Sequence, residues 1–173
     1  MIFRYGLEDV KIASWTTENS YGTAIDFGAA QMFEVTFQAE SATLDGDNAR
    51  LDSHSILKGL SVKIRGGEVS LDVLGLITGV SPSSLSGTKR LKFDKVQRPY
   101  FALCGKTTGT GDGGDTHVFG AKLKLTGDFS YKLEMGAYVI PEVTFEGVYE
   151  GTVNGFGWAV EHTTAVDIAI PPA

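Results

Sequence analysis

Three glycines at the spacing of a phosphate-binding loop are the first candidates for chemistry in this sequence. Gly109, Gly111 and Gly114 match G-x-G-x-x-G. Such a loop cradles phosphate when a strand precedes it and a helix follows, so that the helix N-terminus faces the anion. Here the following residues read HVFGAKLKL, which alternates as a strand does. That disfavours nucleotide binding and leaves a glycine-rich hairpin loop. Asp112 and Asp115 lie in the same loop and are of a type that calcium takes. Calcium wants roughly six to eight oxygens, and neither the EF-hand nor the nonapeptide spacing is present. Solvated loop acids are the simpler reading. His54, His117 and His162 are the three histidines, none paired with another at metal-ligand spacing along the chain, and no C-x-x-C exists. Ser53-His54-Ser55 is not a nucleophile arrangement and there is no G-x-S-x-G. Lys89, Arg90, Lys92, Lys95 and Arg98 form a basic run against one acid, Asp94. A nucleic-acid backbone would suit it. An acidic neighbouring subunit, or plain solvation of a strand face, suits it better in a chain of formal net charge −6. No enzyme and no cofactor is expected from these residues.

The elements that would position such residues are mostly strands. The chain has 173 residues, enough for one domain (1–173) with a real core, and 22 glycines that punctuate short alternating runs. Residues 32–65 organise the rest. Phe33, Val35, Phe37 and Ala39 share one parity, and Glu34, Thr36, Gln38 and Glu40 the other. A period of two means a strand with one apolar and one wet face. Leu60, Val62 and Ile64 oppose Ser61, Lys63 and Arg65 in the same way. Between the halves, Asp45, Gly46, Asp47 and Asn48 favour a tight turn. The expectation is one long antiparallel hairpin, bulged where alternation loosens near Ala42 and Leu44. Arms of about 14 residues span on the order of 45 to 50 Å, far beyond the usual strand. One small domain cannot cover such a hairpin.

The remaining elements are shorter. A first strand is expected over residues 7–16 and an extended piece over 24–27. Residues 68–78 place Val69, Val73, Leu74, Leu76 and Ile77 on a helical stripe, with Glu68 and Asp72 at the N-terminal end, Gly79 fit to end it and Pro82 beyond. Gly75 inside it costs about 1 kcal/mol relative to Ala. Residues 81–87 read as loop and 89–95 as a strand. Residues 100–107 and 116–126 form a second hairpin, and further strands are expected over 128–136, 142–151 and within 158–168. The single cysteine, Cys104, lies in an apolar run and reads as a buried small side chain. The N-terminus shows no apolar leader, and no apolar run approaches the roughly 18 residues of a membrane span. The expectation is therefore a protein made or assembled in a cytosol, away from membranes.

Taken in order, these stretches resemble the major tail tube proteins of long-tailed, non-contractile bacteriophages. Gly6-Leu7-Glu8-Asp9-Val10, the hairpin-tip run Glu40 to Asp47, the helix of residues 68–79, and Arg98-Pro99-Tyr100-Phe101-Ala102-Leu103 carry the resemblance. It covers most of the chain and is weakest from Glu142 onward. No single motif decides it; the ordered set does.

The resemblance implies a mainly β fold: a tail-tube-type sandwich or barrel with one flanking helix and a long hairpin. It implies a homo-oligomer, with six copies closing into a ring whose inner strands form a continuous barrel. Rings stack into a hollow virion tail tube that conducts DNA, without specific binding, during genome ejection. Tape measure, tail tip and tail terminator proteins are the partners this implies. In such a barrel Glu34, Thr36, Gln38 and Glu40 would face the lumen, where carboxylates repel phosphate; Lys63 and Arg65 complicate that lining. Asp45, Gly46, Asp47 and Asn48, with Gly109, Gly111, Asp112 and Asp115, would reach neighbouring rings, and Lys89, Arg90 and Lys92 a neighbouring subunit. The tube of a contractile injection or type VI-like secretion apparatus is the alternative. A carbohydrate-binding adhesive β-sandwich is a second, with Tyr138, Tyr149, Phe156 and Trp158 as its candidate aromatics.

Overall fold

The computed structural model describes residues 3–46, 49–66, 69–110, 114–130 and 142–172. In chain order the elements are β1 (Phe3–Thr17), β2 (Ser20–Tyr21), β3 (Ile25–Asp26), β4 (Ala30–Gly46), β5 (Ala49–Gly66), α1 (Leu71–Thr78), β6 (Ser83–Leu85), β7 (Thr88–Arg90), β8 (Phe101–Thr110), β9 (Thr116–Lys124), β10 (Glu142–Gly147) and β11 (Gly157–Glu161). Among the described residues the fold is mainly β, with one short helix. Nine strands form an antiparallel sheet in the order β2-β1-β8-β9-β10-β5-β4, with β11 on β9 and β3 on β1; β6 and β7 make a separate small hairpin.

The alternation along each strand decides what is buried. Val10 and Ile12 of β1, Phe101 and Leu103 of β8, and Leu123 of β9 meet Leu60, Val62 and Ile64 of β5 and Val143 and Phe145 of β10 in one cluster. These residues come from opposite ends of the sheet path, so the sheet curls over and encloses its own core. Phe101 and Phe145 meet edge to face at 4.8 Å across it. The closure is tight enough that a Cβ at Gly105 of β8 would lie 2.8 Å from the Phe33 ring of β4. A smaller cluster of Ala102, Cys104, Phe119, Ala121 and Ile168 sits on the other face of β8 and β9.

Helix α1 covers one flank of the main core through Val73 and Ile77. Ser70 caps it, its hydroxyl oxygen accepting from the Val73 amide at 3.3 Å, and Gly79 ends it in the left-handed region at φ 83°. The helix thus begins later than the expected residue 68, which lies outside the described residues. Gly75 is explained by close approach, since a Cβ there would lie 2.7 Å from both the Val80 carbonyl oxygen and Pro82 Cδ.

Several expectations are corrected. Residues 91–95 are not strand: only Thr88–Arg90 pairs, with Ser83–Leu85, inside what read as a loop. Leu91 and Phe93 share a parity but find no partner strand, and Phe93 is exposed. Residues 128–130 are irregular, and the rest of the strand expected over 128–136 lies outside the described residues. Within 158–168 the expected strand is found, β11, followed by irregular chain. The bulge expected near Ala42 and Leu44 is present between Leu44 and Asp45, and two further register shifts lie between Gln38 and Ala39, where Lys58 is the extra residue on β5, and between Ala30 and Met32.

An exposed helical glycine replaced by alanine normally gains up to about 1 kcal/mol. Gly75→Ala is expected to do the opposite and lose about 1–3 kcal/mol, because backbone and a proline ring must move. Urea denaturation of the two proteins checks the sign.

Candidate functional site

Two features of the fold stand out chemically: the long hairpin and a polar centre beneath the second hairpin loop. In the first, β4 and β5 pair along their whole length, from Ala30 opposite Gly66 to Gly46 opposite Ala49. β10 covers β5 only from Leu60 to Arg65. On the rest of β5 the edge away from β4, like the outer edge of β4, has no strand beside it among the described residues. The apolar parity divides there. Phe33 and Val35 pack on the core. Phe37, on the same parity, is 65% exposed, and Leu44, Ile56 and Leu57 are exposed as well.

The expected wet parity does face out: Glu34, Thr36, Gln38 and Glu40 are all exposed. Cross-strand register shows what lies beside them. Glu34 is opposite Lys63, which is opposite Thr144; Thr36 is opposite Ser61, which is opposite Glu146; Glu146 is opposite Lys124. Arg65 is opposite Glu142, whose carboxylate is 2.7 Å from Lys63 Nζ. Glu40 pairs with Lys58. The face is therefore a chequer of both signs, in which Lys63 and Arg65 stand among the acids. Exposed pairs of this kind each contribute about 0–1 kcal/mol.

The expected contact residues scatter. Asp45 and Gly46 end the hairpin, Asp45 opposite Arg50; Asp47 and Asn48 lie outside the described residues. Gly109 lies in β8 opposite Arg4 of β1, and Gly111 and Asp112 lie outside the described residues. A strand, β9, follows that loop, so the helix required for phosphate binding is not there. Lys89 is ion-paired to Asp72 and Lys92 to Asp94 at 2.8 Å, while Arg98 Nη1 donates to the carbonyls of Leu125 and Gly127. Hydrogen bonds from Lys92 and the Lys95 amide hold the Asp94 carboxyl below the ordinary range. Much of the basic run is thus engaged within its own chain, and Arg90 is exposed. Among the candidate sugar-binding aromatics, Tyr149 and Phe156 meet edge to face at 5.6 Å. Trp158 packs on Phe119 at 4.7 Å and Phe156 on the core; Tyr149 is exposed and Tyr138 lies outside the described residues.

Asp115 is the clearest correction. It is fully buried, not a solvated loop acid, and cannot reach a neighbouring ring. Its Oδ2 accepts from the Val166 amide at 2.9 Å and lies 3.4 Å from Lys106 Nζ and 3.4 Å from His117 Nε2. Burial raises its pKa, but the Val166 hydrogen bond and the neighbouring His117 and Lys106 outweigh that and hold the carboxyl below its usual range. His117 is buried, and its ring lies 4.6 Å from that of His162. The sequence does contain a signal for this. Asp115, His117, Phe119, Ala121 and Leu123 share one parity, so a histidine and an acid stand on an apolar face.

A second polar knot was not visible in the sequence. The buried Glu150 carboxylate accepts from Trp15 Nε1 at 2.6 Å, the Asn19 amide at 3.0 Å, the Tyr21 hydroxyl at 2.7 Å and Asn154 Nδ2 at 2.7 Å. Burial, then the hydrogen bond to Glu150, raises the Tyr21 phenol far above its ordinary value. These residues are distant in sequence, and the knot ties the β1–β2 turn to the segment after β10.

No family model matches the chain, and no curated protein matches it in sequence. Among the described residues, no helix is long and apolar enough to cross a membrane.

Two outcomes follow from these environments. Glu150→Ala leaves four donors without their carboxylate and is expected to cost about 3 kcal/mol or more, read as a lowered urea midpoint. The Cys104 thiol is pushed up to about 12 by burial, then by Asp9, against an opposing pull from Lys11. Its stabilising contribution is whole below the unfolded thiol pKa of about 8.5 and is lost as pH rises from there towards the folded value. The native chain should not react with an aromatic disulfide reagent at mildly alkaline pH, and the urea-unfolded chain should react at once.

Proposed function

We propose that this chain is the repeating structural subunit of a hollow tube, most specifically a tail tube subunit of a long-tailed bacteriophage. The observation that carries the reading is the overhanging β4–β5 hairpin, which presents Phe37, Leu44, Ile56 and Leu57 to solvent beside an open strand edge. A long unpaired edge is a template for another chain, and closing strands into a ring removes it. Magnitudes favour the apolar side chains as the driving force. Burying such a side chain fully contributes roughly 1.5–3 kcal/mol, several times an exposed ion pair.

In this reading six copies close a ring through the hairpin, and rings stack. Glu34, Thr36, Gln38 and Glu40 face the lumen together with Lys63, Arg65, Glu142 and Glu146. On that face four carboxylates outnumber Lys63 and Arg65, which gives DNA no continuous cationic track to hold it, so a duplex passes without specific binding. Residues 45–48 reach the next ring, and tape measure, tip and terminator proteins set the length and the ends.

The test is assembly. The wild-type chain should form rings or hollow filaments in negative stain and sediment as a hexamer or larger as concentration rises. The double variant Phe37→Asp, Ile56→Asp should remain monomeric while its stability changes by no more than about 0.5 kcal/mol, since both side chains are exposed. Replacing residues 45–48 by a two-residue turn should keep rings and abolish stacking. A wild-type monomer at its solubility limit, or unchanged assembly by the double variant, would overturn the reading.

A further inference from the structure

We infer that Asp115, His117 and His162 form a binding site for one first-row divalent transition metal of the zinc type. Each offers one ligand atom, and these atoms lie within 4.8 Å of one another. A zinc ion with bonds of about 2.0–2.1 Å sets tetrahedral ligands roughly 3.3 Å apart. The Asp115 carboxylate and His117 Nε2 are already 3.4 Å apart. Small rotations of two rings close the rest.

The state of the donor atoms supports the assignment. Asp115 Oδ1, His117 Nε2 and His162 Nε2 are buried, and none has a hydrogen-bond partner. Asp115 and His117 expose 0% and 1% of their surface. Leaving a buried polar atom unpaired costs about 1–3 kcal/mol, and three converge here. A cation accepting all three lone pairs removes the penalty at once.

The surroundings hold the donors in place. Asp115 Oδ2 is held by the Val166 amide and Lys106, which fixes the carboxylate beside His117, and Oδ1 of the same carboxylate has no partner of its own. The Asp115 carbonyl accepts from the His162 amide at 2.9 Å. A Cβ at Gly114 would overlap the His162 carbonyl oxygen at 1.8 Å, so only glycine lets the β9 strand start meet the segment after β11. Lys106 is charge-paired to Glu8 as well as Asp115, so two carboxylates face one ammonium and a divalent ion enters a site that is not net cationic. Two imidazoles and a carboxylate select transition metals over calcium or magnesium. Ligands from β9 and from the chain beyond β11 make the ion a clasp. It would fasten the C-terminal segment bearing Val166 and Ile168 over the smaller core cluster.

The experiment titrates the chelator-stripped full chain with Zn2+ in a calorimeter and with Co2+ by visible absorption. One ion per chain and tetrahedral-type Co2+ bands are expected. His162→Gln and Asp115→Asn should each weaken binding by more than about a hundredfold, beyond the roughly 10–100-fold that loss of an outer-shell partner costs. His54→Gln removes the one remaining histidine, which is exposed, and should change nothing. If either site variant fails to fold by circular dichroism, amide exchange of the wild type decides: Zn2+ should slow exchange selectively in residues 162–168. No heat of binding, equal affinity in His162→Gln, loss of binding in His54→Gln, or unchanged exchange would overturn the site and leave only an imidazole–carboxylate pair.

Discussion

Strand β9 offers one edge to two partners. β11 takes it from Thr116 to Gly120, and β10 takes only Leu123 and Lys124. A strand edge can satisfy one neighbour at a time, so β10 joins at the very end and leads away. That division sets the rest of the structure. β10, β5 and β4 turn over onto β1 and β8, and the core of Val62, Ile64, Phe101 and Phe145 fills the space between. Meanwhile β11 stays flat on β9 and brings the chain after it to the buried end of the second hairpin, where Asp115 and His117 wait.

The same division leaves the hairpin unfinished. β10 reaches six residues of an eighteen-residue strand. Beyond Leu60 the β5 backbone has lost β10 and keeps only β4, and beyond Val35 the apolar parity of β4 has lost its core. The bulge at Lys58 lies at this border. A bulge sharpens twist and bends a ribbon. Here it marks where the hairpin leaves the body of the fold.

How much of this could be read beforehand depended on whether a feature was local. The period of two in residues 33–40 and 60–65 is local, and it located both arms, their pairing and their wet face. The helix was legible through its stripe and Gly79, although its cap, Ser70, was passed over for the acid at 68. Alternation alone cannot say whether a strand finds a partner. Leu91 and Phe93 alternate as well as Phe33 and Val35 do, yet no strand lies beside them. Nor can it say where a core stops, since Phe37 differs from Val35 only by position. Asp115 and His162 meet through the β9–β11 pairing, across 47 positions of sequence. Only the parity of His117 hinted that one of them was buried.

The two unusual regions violate opposite rules. The hairpin exposes large apolar side chains, which an isolated chain gains by hiding. The Asp115 centre buries polar atoms without partners, which an isolated chain gains by pairing. Packing within the described residues relieves neither. The hairpin lacks an apolar surface and a backbone edge, which a copy of the same chain can supply. The polar centre lacks an electron-pair acceptor small enough to fit among three side chains, which a chain cannot supply and an ion can. Each defect thus specifies the chemistry of what would fill it, and the two fillings are independent of one another.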